Sequence, residues 1–343
     1  MQAELVAPRR FELRDHELPP PPPGQVQVRV EAVGVCGSDL HFFSEGRIGN
    51  VEARYPMTPG HEPVGTITSL GDGVSGWSVG DRVALEAPFY CYHCEACMSG
   101  RHNLCAHVRF MSSPTEPGFF RDRVNLPLPN LLPLPKNLGF AEGTLWEPIG
   151  IILHSMRFAA PAVGETAAII GAGPIGLTTM AVLKLAGIAR IWMVDRVAHR
   201  RELAAAMGAD AVIDSLQVDP VAEILRETGN RGVDLAIDCA ATDDSINQAL
   251  RVTRPAGRCV ITGVPTSPRI SFDFHSLRTK EINFFAVRRA NHTGAAALRL
   301  LSEHHDRFAP MITHRRMMDE VQACFEMLES YSDSVGKIVV YPR

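Results

Sequence analysis

Apolar and polar residues alternate through Gln25-Val26-Gln27-Val28-Arg29-Val30, the period of two imposed by a strand with one buried face. Five prolines, Pro19 to Pro23, separate it from a strand-like N-terminal segment. Apolar pairs punctuated by Gly71, Gly73, Gly76 and Gly80 continue the strand-and-turn pattern. They predict a compact β-barrel up to about residue 145, with little helix. From about Ile149 the period changes. Strands are predicted at 166–171, 190–194, 211–213, 233–238 and 258–263, alternating with helices at 175–186, 198–207, 220–228 and 245–252. That rhythm specifies a parallel sheet in a doubly wound α/β domain. A helix over 293–304 and a strand over 336–341 follow, and the last segment is expected to rejoin the first domain. A length of 343 residues suits two domains, placed at residues 1–148 with 291–343 and at 149–290.

Composition narrows the function classes. Hydrophobic residues make up 45% and charged residues 21% of the chain, and the formal charge is −4, which fits a globular protein and supplies no basic field for nucleic acid or anionic lipid. The segment from Met1 to Pro19 has no apolar run of the kind that directs export, so a cytoplasmic location is expected. The most apolar stretch, Ala167 to Ala186, is interrupted by Gly171, Gly173, Pro174 and Gly176, so no membrane span is expected.

Four of the eight cysteines, Cys91, Cys94, Cys97 and Cys105, fall within fifteen residues as C-x2-C-x2-C-x7-C. Four thiolates on a turn-rich loop provide a closed tetrahedral site for structural zinc. Cys239, Cys259 and Cys324 sit singly in apolar or helical patterns, as core residues do.

Gly171-Ala172-Gly173-Pro174-Ile175-Gly176 fits G-x-G-x-x-G between a predicted strand and helix, where backbone and helix N-terminus can face a pyrophosphate. Asp195 ends the next strand, nineteen residues beyond Gly176. A carboxylate there accepts ribose hydroxyls and repels a 2′-phosphate, favouring NAD. Arg196, Arg200 and Arg201 could offset it, leaving NADP as the alternative.

Cys36 ends the first predicted barrel strand, and Gly60-His61-Glu62 opens another. Ahead of a dinucleotide-binding domain, thiolate, imidazole and carboxylate together suit a catalytic zinc with an open position. Glu147, in Leu145-Trp146-Glu147-Pro148, is either part of this chemistry or a helix N-terminal charge.

Taken together, the Cys36 to Phe43 segment, Gly60-His61-Glu62-x2-Gly65-x5-Gly71, the cysteine lobe, Glu147-Pro148 and the nucleotide fingerprint resemble the zinc-containing medium-chain dehydrogenases, in the branch of sorbitol (polyol) and L-idonate dehydrogenases. The resemblance covers almost the whole chain. It implies a GroES-like β-barrel catalytic domain plus a Rossmann domain, two zinc ions and a homodimer or homotetramer. By the resemblance, Cys36, His61 and Glu62 are catalytic zinc ligands, and Glu147 either coordinates directly or holds the zinc-bound water. Asp39 would orient His61 from behind, Ser38 would pass on the substrate's proton, and His41 would lead it to solvent. Gly171, Gly173, Ile175, Gly176, Asp195 and Arg200 would contact the cofactor, and Phe42, Phe110, Ser113 and Arg289 would line the polyol pocket.

One departure bears on substrate. The polyol enzymes commonly carry Phe-Arg-Tyr before an Asn, where this chain has Arg288-Arg289-Ala290-Asn291. Paired guanidiniums suit a sugar-acid carboxylate. The implied reaction is hydride transfer between a secondary alcohol of a polyol or sugar acid and NAD. Two alternatives remain: a related dehydrogenase acting on threonine or butanediol, and an inert dinucleotide-binding sensor or structural protein. The inert reading conflicts with a complete set of candidate ligands.

Overall fold

In the computed structural model, which describes residues 1–342, the alternating segment becomes the strand Gln25–Gly34. Its burial is not strictly alternating, and both of its edges are paired. Glu62–Leu70 lies antiparallel along one edge, while Arg123–Pro127 and Lys337–Tyr341 share the other. Gln27 is buried along with its valine neighbours. Register shifts between Gln27 and Val28 and between Val30 and Ala32 mark bulges, which bend a strand and let it serve different partners along its length. The sheet runs Leu131–Pro133, Arg82–Leu85, Glu62–Leu70, Gln25–Gly34, Lys337–Tyr341, Ile312–Met317. Its core includes Val26, Val28, Val30, Phe43, Phe120, Phe325 and Val340.

The barrel region holds a helix that the hydropathy pattern did not predict, Gly37–Ser44, which follows directly on Cys36. Gly, Ser and Asp at its start read locally as a turn. Tertiary burial decides otherwise: Phe42 and Phe43 enter the core, and Phe43 packs 5.2 Å from the Phe325 ring.

By their internal contacts, Met1–Glu147 and the chain from Gly294 onward form one unit and Pro148–Thr293 another. The second unit has six parallel strands in the order Ala211–Asp214, Arg190–Asp195, Thr166–Ile170, Val233–Asp238, Thr253–Ile261, Asn283–Ala286. In sequence terms this is 3-2-1-4-5-6, the doubly wound order with its switch point beside the first strand. Cys259 is buried in this unit and Cys324 in the first, while Cys239 is only half-buried. Among the described residues, no helix is long and apolar enough to cross a membrane.

Candidate active site and metal centres

Strand register assembles the first cluster. Gly34 lies opposite Glu62 across the antiparallel pair, and Val35 donates its N–H to Ile338 O, 3.0 Å away. Cys36, two residues beyond Gly34, thereby meets His61 and Glu62. One donor atom from each of these three residues lies within 4.8 Å of the others. Thiolate, imidazole and carboxylate at this spacing fit a zinc ion, and three protein ligands leave a fourth position for substrate. Glu147 falls outside this trio. It is the second residue of the helix Trp146–Ala159. Burial lifts its carboxyl to about 7; His61 and Lys337 pull it down, and Glu62 and Asp39 push it up.

His61 is oriented from behind. Its Nδ1 lies 3.2 Å from Asp39 Oδ1. Burial pushes the Asp39 carboxyl up, but the His61 charge and hydrogen bonds from His61, Ser112 and the Gly60 N–H outweigh it and hold Asp39 below the ordinary aspartate range. An ionised Asp39 only accepts, so Nδ1 carries a proton toward it; a metal ion in the cluster would displace the proton from Nε2 and take its lone pair. Ser38 Oγ lies 3.3 Å from Cys36 Sγ and 3.4 Å from His61 Nε2. Phe110 packs its ring 5.6 Å from the imidazole.

Nothing in the sequence marks Lys337 as a site residue. It opens the strand Lys337–Tyr341 and reads there as an ordinary strand-end lysine, yet it is only 2% exposed and ion-paired with buried Glu62. Burial pulls the ammonium down, but Glu62, Cys36 and Glu147 raise it above the ordinary lysine range. Gly34 leaves room for the pair, since a Cβ there would collide with Glu62 Oε2.

Cys91, Cys94, Cys97 and Cys105 converge as a second cluster. Their sulfurs lie 3.5 Å (Cys91–Cys105), 3.9 Å (Cys91–Cys97) and 3.9 Å (Cys94–Cys105) apart. A Zn–S bond of about 2.3 Å puts tetrahedral sulfurs about 3.8 Å apart, so the cage has the size of the ion. The N–H of Cys94 points at Cys91 Sγ and that of His107 at Cys105 Sγ, each 3.4 Å away. Backbone hydrogen bonds from Cys97 and Ala106 draw Cys94 down to about 6, whereas burial pushes Cys97 up to about 12. Four thiols this close ionise together only around a cation.

In the second unit the fingerprint forms a tight turn into the helix Pro174–Leu185. Gly171 adopts φ +102°, and a Cβ on Gly176 would collide with the Gly171 carbonyl. The helix N-cap is Gly173, which brings no side chain between the first-turn N–H groups and a phosphate. Asp195 ends its strand with both oxygens engaged: Oδ2 accepts from Ala172 N–H at 2.7 Å and Oδ1 from Val197 N–H at 2.8 Å. Arg200 Nη1 lies 4.0 Å from Asp195 Oδ2, and Arg201 is committed to Asp214 at 2.6 Å. Ile175 is half-buried in the first turn of the helix.

The remaining candidates are dispersed. His41 lies on the Gly37–Ser44 helix, its Nδ1 3.5 Å from Glu45 Oε1. Phe42 is in the core of the first unit. Ser113 Oγ is 3.3 Å from Thr115 Oγ1, and it is the neighbouring hydroxyl of Ser112 that reaches Asp39. Arg289 belongs to the second unit and has a left-handed backbone, φ +56°.

Residues 22–136 match the alcohol dehydrogenase GroES-like domain family, and residues 174–303 match the zinc-binding dehydrogenase family. The chain is 33% identical over 319 residues to a sorbitol dehydrogenase of Bacillus subtilis, covering 93% of this chain and 90% of the relative. It is 32% identical over 332 residues to an L-idonate 5-dehydrogenase of Vitis vinifera, covering 95% and 90%. A solved short chain alcohol dehydrogenase from E. coli CFT073, complexed with NADH, superposes with a TM-score of 0.90 at 28% identity, covering 99% of this chain and 98% of that one.

Proposed function

The chain belongs to the zinc-binding alcohol dehydrogenases with a GroES-like domain, and on that premise we propose that it transfers hydride between a secondary alcohol of a polyol or sugar acid and NAD. Membership makes it a zinc- and nicotinamide-dependent oxidoreductase of a small molecule. The observation that carries the proposal is the Cys36–His61–Glu62 trio with His61 oriented by Asp39. The sorbitol and L-idonate enzymes among its relatives favour the substrate class.

In this proposal Cys36, His61 and Glu62 hold a catalytic zinc, with Glu147 as a further ligand or as the group that positions a water. Cys91, Cys94, Cys97 and Cys105 hold a structural one. When bound, the catalytic zinc supplies Lewis acidity toward an alcohol oxygen and the nicotinamide accepts a hydride. Ser38 accepts the hydroxyl proton beside Cys36 and His61, and His41, three residues along the same helix, leads it to solvent. Phe42, Phe110 and Ser113 line the substrate site, and Arg289, with Arg288, offers a guanidinium fork to a sugar-acid carboxylate. The products are a ketone, reduced nicotinamide and one proton.

Asp195 selects NAD in this scheme, through lone pairs left over from its two backbone contacts, with Ile175 and Arg200 beside the cofactor. The commitment of Arg201 to Asp214 removes one of the three arginines that could receive a 2′-phosphate. Asp195→Ala is expected to narrow the NAD-over-NADP preference about tenfold or more, the size of one charge-assisted contact. Unchanged discrimination in kcat/KM would exclude the assignment. We place the enzyme in the cytoplasm as a homodimer or homotetramer. None of the eight cysteines is in a disulfide, which suits a reducing compartment, and the oligomer follows the family resemblance.

The test is an absorbance screen for reduced nicotinamide, with polyols, aldonates, threonine and butanediol as substrates and NAD or NADP as acceptor. A polyol or aldonate is expected to lead; much faster oxidation of threonine or butanediol would move the enzyme to that substrate class. Metal analysis is expected to give two zinc ions per chain, and Cys97→Ser is expected to lose one. Full retention by that variant would exclude the four-sulfur site.

A further inference from the structure

We propose that Ser112 is a positioning residue for the catalytic metal, acting through Asp39 on His61; this rests on the assignment of Cys36, His61 and Glu62 as metal ligands. The Ser112 hydroxyl donates to Asp39 Oδ1 at 2.6 Å, the shortest of the three contacts that oxygen receives. His61 Nδ1 lies at 3.2 Å and the Gly60 N–H at 3.3 Å. All three fall on one oxygen, while Oδ2 is buried with no hydrogen-bond partner among the described residues. The carboxylate is thus held by one oxygen, and the direction of that oxygen sets the plane of the imidazole. Removing the Ser112 donor frees the carboxylate to rotate toward its unused oxygen, taking the Nδ1 contact with it.

The backbone at Ser112 indicates that the hydroxyl is held there deliberately by the surrounding structure. Ser112 adopts φ +75°, a left-handed conformation that is strained for any residue but glycine. Its N–H is fixed to Glu116 O at 3.0 Å, and Met111 N–H to Ala87 O at 3.0 Å. Both neighbours therefore clamp the segment from Phe110 to Ser113, and the buried Ser112 side chain points inward. Glycine would fit the backbone better but would supply no donor.

That conflict between backbone and side chain provides the test. Ser112→Gly removes the hydroxyl and relieves the backbone, whereas Ser112→Ala removes the hydroxyl and keeps the strain. Catalytic zinc retention is followed by elemental analysis during titration with dipicolinate, with the four-cysteine zinc as internal reference, alongside thermal melting. Both variants are expected to release the catalytic zinc at about 10–100-fold lower chelator concentration, the range seen for partners of metal-bound histidines. The reference zinc should stay in place, and Ser112→Gly stripped of its catalytic zinc should melt no lower than the parent stripped in the same way. Parental zinc retention in either variant would overturn the proposal. So would zinc loss only in step with a lowered melting temperature of the stripped protein, which would make Ser112 a purely structural residue. A parent protein carrying only the four-cysteine zinc would instead overturn the ligand assignment, and the role of Ser112 with it.

Discussion

His61→Ala is expected to stop turnover while dinucleotide binding survives. The variant removes one of three donors packed within 4.8 Å of each other, and with it, on the proposed ligand set, the geometry that would hold the Lewis acid against the reacting oxygen. Lewis-acid stabilisation of developing charge amounts to several kcal/mol, and each 1.36 kcal/mol is a factor of ten, so kcat should fall about 10³-fold or more. The dinucleotide loop lies in the second unit, which has its own core of Ala168, Ile170, Trp192, Val194 and Ile246. NADH binding, read by fluorescence, should therefore stay close to the parent value. Cys36→Ser should behave alike, with a hard hydroxyl in place of the thiolate that zinc prefers. Loss of activity and NADH affinity together would indicate misfolding, and retained turnover with an empty inner site would refute zinc chemistry at these residues.

The parts of this enzyme that were legible in the sequence are those written locally. The strand and helix repeat after Ile149 depends on periods of 2 and 3.6 within each segment, and the turn from Gly171 to Gly176 sits in one contiguous run. The cysteine lobe likewise closes within fifteen residues. What escaped depends on contacts between distant segments. The helix Gly37–Ser44 begins with turn-forming residues and exists because Phe42 and Phe43 find a core built partly from Phe325. The edge strand Asn283–Ala286 shows no alternation, since its two phenylalanines are adjacent and none of its residues is fully buried. Ser112 looks no different from Ser113, and only folding shows which hydroxyl meets Asp39. Lys337 begins an apolar strand, and nothing near it in sequence announces the carboxylate 275 positions earlier that it pairs with.

Lys337→Met should destabilise the protein, and by an amount that depends on the metal. The side chain keeps similar length and loses its charge, so the main change is a buried Glu62 carboxylate deprived of its cation. Breaking a buried ion pair in this way typically costs about 3–5 kcal/mol. In chelator-treated protein the unfolding transition of the first unit should shift by about that amount. On the proposed ligand set, zinc would restore a positive charge beside the same carboxylate, and a ligand that binds the folded state adds stability by mass action. The deficit relative to the parent should therefore shrink when zinc is returned. An equal deficit with and without zinc would mean that Glu62 serves Lys337 alone and does not reach the metal. Gly34→Ala approaches the same pair from the other side, since its methyl would collide with Glu62 Oε2 and come within 3.0 Å of Lys337 Cε. If Glu62 bridges the two cations, displacing it should weaken both partners. Gly34→Ala would then lose catalytic zinc as well as stability, whereas Lys337→Met would lose stability and keep the metal.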